Sequence, residues 1–190
     1  MNLTVVTSNT NKAAEITAFF GRTLEVSHIA LDIPEHRSED VGKIAGGKAK
    51  FAYELLQTPL IVDDTGFSIN ALRGFPGPYA AYVLHTIGNN GILKLLEGVA
   101  DRTARFTTAI AFADNTGIHV FTGIIDGKIT TGPRGSNGFG YDPIFEYEGR
   151  TFAEIPLIEK SMISHRALAL ASFRDWLVRE RNLSAKDANG

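Results

Sequence analysis

The chain has 190 residues, enough to bury one sizeable core, and its 44% hydrophobic and 21% charged residues are ordinary for a soluble globular protein. A net charge of −2 argues against a duplex-DNA binder that works by phosphate neutralisation. The lack of any cysteine excludes disulfides, thiolate catalysis and thiolate metal sites.

The N-terminal MNLTVVTSNTNK has no basic segment followed by an apolar core, and no apolar run approaches the roughly 20 residues that span a bilayer. The expectation is a cytoplasmic protein with no membrane or nucleic-acid partner. Leu3–Thr7 is apolar and β-branched and predicts a buried strand. Ser8, Asn9, Thr10 and Asn11 follow as a polar turn. Lys12 then opens a helix with Ile16, Phe19 and Phe20 on one face and Gly21 just past its end. A strand, a polar loop and a helix start with a lysine can hold an anion. An ordinary β–α connection has the same look, and the glycines of a P-loop are missing.

Leu24–Ile29 predicts a second strand. The connector 30–40, ALDIPEHRSED, is extended and charged, with Glu35 and Glu39 as spare carboxylates. Ile44–Leu56 reads as a helix carrying Lys43, Lys48 and Lys50. Leu60–Val62 reads as a short buried strand, with Asp63 and Asp64 at its expected end and Thr65-Gly66 as a turn. Carboxylates there can hold Mg²⁺, at the strand end where open α/β sheets bind ligands. They can equally do no more than break the strand.

Ala80–Ile87 and Gly91–Leu96 predict two short helices, the second capped by Asn89 or Asn90. Arg102–Ala113 alternates as a long strand with Ala104, Phe106, Thr108, Ile110 and Phe112 on one side. Turns at 114–117 and at Asp126-Gly127 predict an antiparallel meander through 118–125 and 128–131. Strand–helix units followed by a meander imply a mixed sheet. Gly132–Asp142 holds four glycines in eleven residues, with Phe139 and Tyr141 among them. Either the aromatic rings stack on a flat base, or this is a surface loop whose Phe139 tucks into the core. Glu159-Lys160-Ser161 and Ser164-His165-Arg166 open the last helix, with Ser164 as N-cap and Leu170, Phe173 and Leu177 inward. Two cations in a first turn oppose the helix dipole, a local misplacement that hints at function. Residues 183–190 are polar and expected to fray, leaving 1–182 as one domain.

These polar groups together suit a nucleoside triphosphate: charge for phosphates, ligands for Mg²⁺, a stacking platform and donors for a base edge. No kinase HRD/DFG set is present. In TSNTNK (7–12), VDDTGFSINALRGFPGPYAA (62–81), FGYDPIF (139–145) and EKSMISHRALAL (159–170), the chain resembles the inosine triphosphate pyrophosphatases, also called non-canonical purine nucleoside triphosphate pyrophosphatases. The resemblance runs from Leu3 to about Trp176. LDIPEHRSED and GFPGPYAAYV look closer to the archaeal and eukaryotic branch.

The resemblance implies a two-lobed α/β fold, with a long curved mixed sheet flanked by helices and the active site in the cleft between lobes. It also implies a homodimer and Mg²⁺-dependent hydrolysis of ITP, dITP and XTP to the monophosphate and pyrophosphate. By motif, Thr7, Ser8, Asn9, Thr10, Asn11, Lys12 and Lys48 would hold the triphosphate. Asp64 would be general base and metal ligand, with Asp63 beside it and Thr65 in place of a serine common in bacterial members. Glu35 would complete the metal site, with Glu39 as the alternative. Phe139, Gly140, Tyr141, Asp142, Lys160, His165 and Arg166 would read the base. A 6-keto oxygen accepts from His165 or Arg166, whereas adenine's 6-amino group would point a donor at donors. The alternative reading is a module on the same fold that binds a purine nucleotide without turning it over.

Overall fold

A computed structural model describes residues 2–21, 23–34 and 38–181. Glu35, and the tail from 182 onward, lie outside the described residues. The strands form one mixed eight-stranded sheet. Next to one edge, β1 (Asn2–Val6) runs parallel to the edge strand β2 (Glu25–Ile29) on one side and to β3 (Leu60–Ile69) on the other. Beyond β3 the pairing is antiparallel, through the outer β4 (Pro76–Gly77) on one edge and through β5 (Thr103–Asp114), β6 (Gly117–Ile129), β7 (Phe145–Tyr147) and β8 (Arg150–Thr151) on the other.

Side-chain alternation along β3 decides which helix covers which face. Ile61 packs among Ile16 and Phe20 of α1 (Thr10–Phe20) and Leu170, Phe173 and Leu177 of α6 (His165–Arg181). Leu60 and Val62 turn the other way, onto Ala45, Ala49 and Ala52 of α2 (Val41–Leu56). That face is alanine on both sides, since β5 offers Ala109, Ala111 and Ala113. A third cluster lies at the outer ends of the long strands. There Phe67, Phe106, Phe145 and Phe152 pack with Val83 of α3 (Ala80–Thr86) and Ile92 of α4 (Gly88–Leu95). A short α5 (Leu157–Ile163) leads into α6.

Four local expectations change. β3 does not stop at Asp63: it runs ten residues, and Asp63 to Gly66 all pair with β5. Gly66 is an in-strand residue whose Cβ would crowd Val41 at 3.0 Å. Asp126-Gly127 is likewise inside β6, where Asp126 pairs with Arg105 across the ladder at 2.7 and 3.0 Å. A Cβ on Gly127 would stand 2.4 Å from the Glu146 carbonyl, so this glycine marks close strand approach. Asn89 does not cap α4, which begins at Gly88; its side-chain amide donates to the Gly140 carbonyl instead, at 3.0 Å. Lys160 stands on α5, a helix of its own before Ser164 caps α6.

Candidate active site

Adjacent residues of a strand face opposite ways, so the two aspartates separate. Asp63 follows Ile61 onto the α1/α6 face. There Lys12 Nζ stands 2.7 Å from one oxygen and Arg166 Nε donates to the other at 2.9 Å. Asp64 follows Val62 onto the α2 face, where Lys48 Nζ donates to Oδ1 at 2.8 Å. The edge of β3 beside them is uncovered. Pairing to β1 ends at Val62 and pairing to β4 begins at Phe67, so no described strand covers Asp63–Gly66 on that side.

The two carboxyls also titrate differently. Burial alone would raise Asp63, but Arg166 and Lys12 outweigh it and hold its carboxyl well below the usual range. Burial raises Asp64 as well, and Lys12 and Lys48 do not cancel it, so its carboxyl stays above the ordinary value. Neighbouring acids pushed apart in this way commonly divide the labour of a reaction. Asp63 is a fixed anion, and Asp64 is the better proton acceptor.

Asp63 belongs to a largely buried row of alternating charges that starts at Lys12. From Arg166 the row passes through Glu15 of α1, whose other oxygen meets Lys160 Nζ at 2.6 Å. Lys160 then meets Asp142 at 2.5 Å. Three acids (Asp63, Glu15, Asp142) and three bases (Lys12, Arg166, Lys160) therefore alternate. Burial opposes the charge on Glu15, but Arg166 and Lys160 reverse that and lower its carboxyl. The row accounts for two cations in the first turn of α6: Arg166 is answered by Asp63 and Glu15, and His165 is uncharged. Burial drives the His165 imidazole well below its normal value, and Arg166 and Lys160 push it further. Gly123 of β6 lets this turn settle onto the sheet, since a Cβ there would lie 2.0 Å from the His165 carbonyl.

A cavity of about 140 Å³ opens beside the row. It brings together Asn9, Lys12, Thr65, Phe139, Gly140, Tyr141, Asp142, Lys160, His165 and Arg166, ten of the residues singled out in the sequence. Phe139 is half-buried with Lys160 Nζ 4.8 Å from its ring centre. Tyr141 points its ring into the core instead, stacked on Phe67 at 4.4 Å with its hydroxyl donating to the Ala80 carbonyl at 2.7 Å. Both glycine-loop aromatics line the cavity, but the ring and hydroxyl of Tyr141 are tied to Phe67 and Ala80, whereas Phe139 carries Lys160 beside its ring. Asp142 shapes the loop by accepting from the Phe139 N–H at 2.7 Å. Gly138, at φ +70°, leaves room for that carboxylate, which a Cβ would meet at 2.1 Å.

Thr7, Ser8, Thr10 and Asn11 surround the start of α1 outside the cavity lining. Asn9 caps the helix, its side chain accepting from the N–H groups of Asn11 and Lys12 at 3.0 and 3.2 Å, so those two amides are already committed. Lys48 and Asp64 lie on the opposite face of the sheet from the cavity's Thr65. Among the described residues no group of three or more His, Asp or Glu is placed to hold a metal. Glu39 lies within the described residues, in the connector just before Asp40 caps α2.

Sequence reasoning missed Glu15, Thr108 and the α3 wall formed by Ala80, Ala81, Leu84 and His85. Glu15 left a trace, being three residues after Lys12 and therefore on its side of the helix, beside the apolar Ile16. Thr108 left one too, as a hydroxyl on the apolar side of β5.

Residues 3–176 match the model of the Ham1 family. A dITP/XTP pyrophosphatase of Thermococcus kodakarensis is 47% identical over 180 residues, covering 93% of this chain and 97% of that one. An inosine triphosphate pyrophosphatase of the fungus Ajellomyces capsulatus is 41% identical over 174 residues, covering 90% and 94%. Among solved structures, the Ham1 protein of Staphylococcus aureus superposes with a TM-score of 0.81 at 30% identity, over 95% of this chain and all of that one. Archaeal and fungal relatives both appear, as the variant motifs anticipated. With its sequence matched almost end to end and its sheet superposed on a solved member, the chain belongs to the Ham1 family.

Proposed function

We propose that this protein hydrolyses non-canonical purine nucleoside triphosphates, ITP, dITP and XTP, to the nucleoside monophosphate and pyrophosphate with Mg²⁺. The observation that carries the reading is the pair of adjacent aspartates at the uncovered edge of β3, one locked between cations and the other left basic. The names of the relatives, dITP/XTP and inosine triphosphate pyrophosphatase, support the substrate class. A module that only bound nucleotide would have no use for a basic carboxyl beside phosphate-binding lysines.

Asp64 takes a proton from the water that attacks the α-phosphorus. Lys12 and Lys48 offset charge on the departing pyrophosphate, and Ser8, Thr10 and the other polar groups at the start of α1 position the triphosphate. The base enters the cavity beside Phe139, which stacks on it, while Lys160 and Asp142 hold the loop. His165 meets the purine 6-position, since Arg166 already serves Asp63, Glu15 and Thr65.

Asp64 fits Mg²⁺, and Glu35, which lies outside the described residues, would be its partner ligand. Both are hard oxygen ligands, and burial leaves Asp64 short of positive charge despite Lys48. Asp63 fits the metal less well, because both of its oxygens already face Lys12 and Arg166. When bound, the ion supplies neutralisation of charge developing on the phosphate oxygens. We further propose that the cleft between two lobes is this cavity, with α3 and the 139–142 loop on one side and α1 and α6 on the other. We also propose a homodimer, supported by the exposed Phe75, Tyr79, Tyr82 and Ile87 around α3. No helix of the described residues is long and apolar enough to cross a membrane, which suits a cytoplasmic place beside the nucleotide pool.

The test is product identification with ITP, XTP, ATP and GTP in the presence of Mg²⁺. Monophosphate and pyrophosphate should appear from ITP and XTP far faster than from ATP. Asp64→Asn should still bind nucleotide but not turn it over. Release of orthophosphate, equal rates on all four, or an active Asp64→Asn enzyme would overturn the assignment.

A further inference from the structure

The mechanism above leaves one buried hydroxyl unused. Thr108 of β5 is fully buried, directly opposite Thr65 in the β3–β5 ladder and on the face covered by α6. Its Oγ1 lies 2.7 Å from Thr65 Oγ1 and 2.6 Å from His165 Nδ1. Thr65 Oγ1 in turn accepts from Arg166 Nη2 at 3.2 Å. The four groups form one continuous line from a guanidinium to an imidazole.

Each hydroxyl has one proton to give and two lone pairs to receive, and an end that cannot reverse biases the direction of the line. Arginine is that end: it donates and never accepts. With Arg166 donating to Thr65, the Thr65 proton has two acceptors within reach. One is Thr108 at 2.7 Å, the other Asp63 at 3.4 Å, an oxygen that Arg166 Nε already serves at 2.9 Å. Thr108 is the nearer of the two, and donation to it is the direction the proposal takes. In that direction Thr108 donates onward to His165 Nδ1.

We propose that Thr108, directed through Thr65 by Arg166, is the positioning residue that fixes His165 in its Nε2–H tautomer, so that the ring offers the cavity a hydrogen-bond donor and refuses a donor from the substrate. This deepens the proposed function and rests on it for the identity of the ligand, a purine with a 6-keto group. A 6-keto oxygen accepts from Nε2–H. A 6-amino group meets donor with donor and leaves a buried group unpaired, the kind of mismatch that discriminates most strongly. The stacking of His165 on Phe106, ring centres 4.5 Å apart and 21° between planes, holds the imidazole plane and leaves the tautomer as the remaining freedom. The imidazole is also kept neutral by its burial, so one ring nitrogen bears a proton and one does not.

The experiment has a spectroscopic arm and a kinetic arm. Long-range ¹H–¹⁵N correlation of the unliganded wild-type protein should show His165 with a protonated, pyrrole-type Nε2 and a pyridine-type Nδ1. Thr108→Val keeps the shape and removes the relay. It should mix the tautomers and lower kcat/KM for ITP by about tenfold, the scale of one neutral hydrogen bond, with ATP little changed. Thr108→Ser should restore both the spectrum and the ITP preference, which a purely packing role would not require. A wild-type spectrum with pyrrole-type Nδ1 overturns the proposal, and it needs no variant to fold. So does a Thr108→Val protein that keeps both tautomer and preference. If no purine triphosphate is hydrolysed at all, the proposed function falls while the spectrum still decides the tautomer.

Discussion

Glu15→Gln removes one charge from the middle of the buried row and little else. Glu15 is 2% exposed and faces Lys160 and Arg166, each also 2% exposed. With the glutamate neutral, three cations face two carboxylates in a largely buried region. Taking one partner from a buried ion pair costs about 3–5 kcal/mol. Here each flanking cation keeps one acid, Asp63 for Arg166 and Asp142 for Lys160, which places the cost at the lower end, about 3 kcal/mol. For a domain of this size that corresponds to a fall in Tm of roughly 6–12 °C. Equilibrium unfolding in urea at neutral pH measures it. A cycle with Lys160→Met adds a second check: the two changes should be non-additive by about 1–3 kcal/mol, because removing the lysine removes part of the uncompensated charge. A loss under about 1 kcal/mol, or strict additivity, would refute the view that these six charges are one coupled unit.

Two other perturbations probe the same corner. Gly123→Ala drives a Cβ into backbone atoms of α6, which cannot swing aside, so it should cost about 1–3 kcal/mol and lift His165 and Arg166. Its loss of kcat/KM on ITP should exceed that of Ile92→Val, a core residue outside the cavity lining; equal losses would detach α6 placement from the site. The second perturbation is acid. His165 titrates near 6.5 when unfolded but is held neutral far below that when folded, so the unfolded chain takes up the extra proton. This contribution is complete above about pH 6.5 and is lost below it, about 1.4 kcal/mol by pH 5.5. Unfolding free energies at pH 7.5 and 5.5 should show this difference in the wild type and a reduced one in His165→Asn. An unchanged difference would place the titration elsewhere.

Much of this fold was legible because local chemistry and tertiary role agreed. The alternation of Phe106, Thr108, Ile110 and Phe112 states the period of β5, and Ser164 marks the start of α6 by the cap it provides. Legibility failed where one residue type serves two purposes. Asp-Asp-Thr-Gly and Asp-Gly look like strand breaks because such residues favour turns. In β3 and β6 they are held in strands by partners distant in sequence, Lys12, Arg166 and Arg105, and by backbone that approaches too closely for a side chain. The candidate site divides the same way. The motifs name Asp63, Lys160, His165 and Arg166, but the residue joining Lys160 to Arg166 is Glu15, which becomes their neighbour only when α1 packs against α5 and α6. Tyr141 and Phe139 look equivalent in sequence, and only the packing on Phe67 ties one of the two rings to the core.

The central claim is that Asp64 directs water at the α-phosphorus of a 6-keto purine triphosphate. Hydrolysis of ITP in H₂¹⁸O with Mg²⁺ tests it most directly, because the label marks the atom attacked. The account predicts one ¹⁸O in the phosphate of IMP and unlabelled pyrophosphate. Label in the pyrophosphate, or in released orthophosphate, would contradict it.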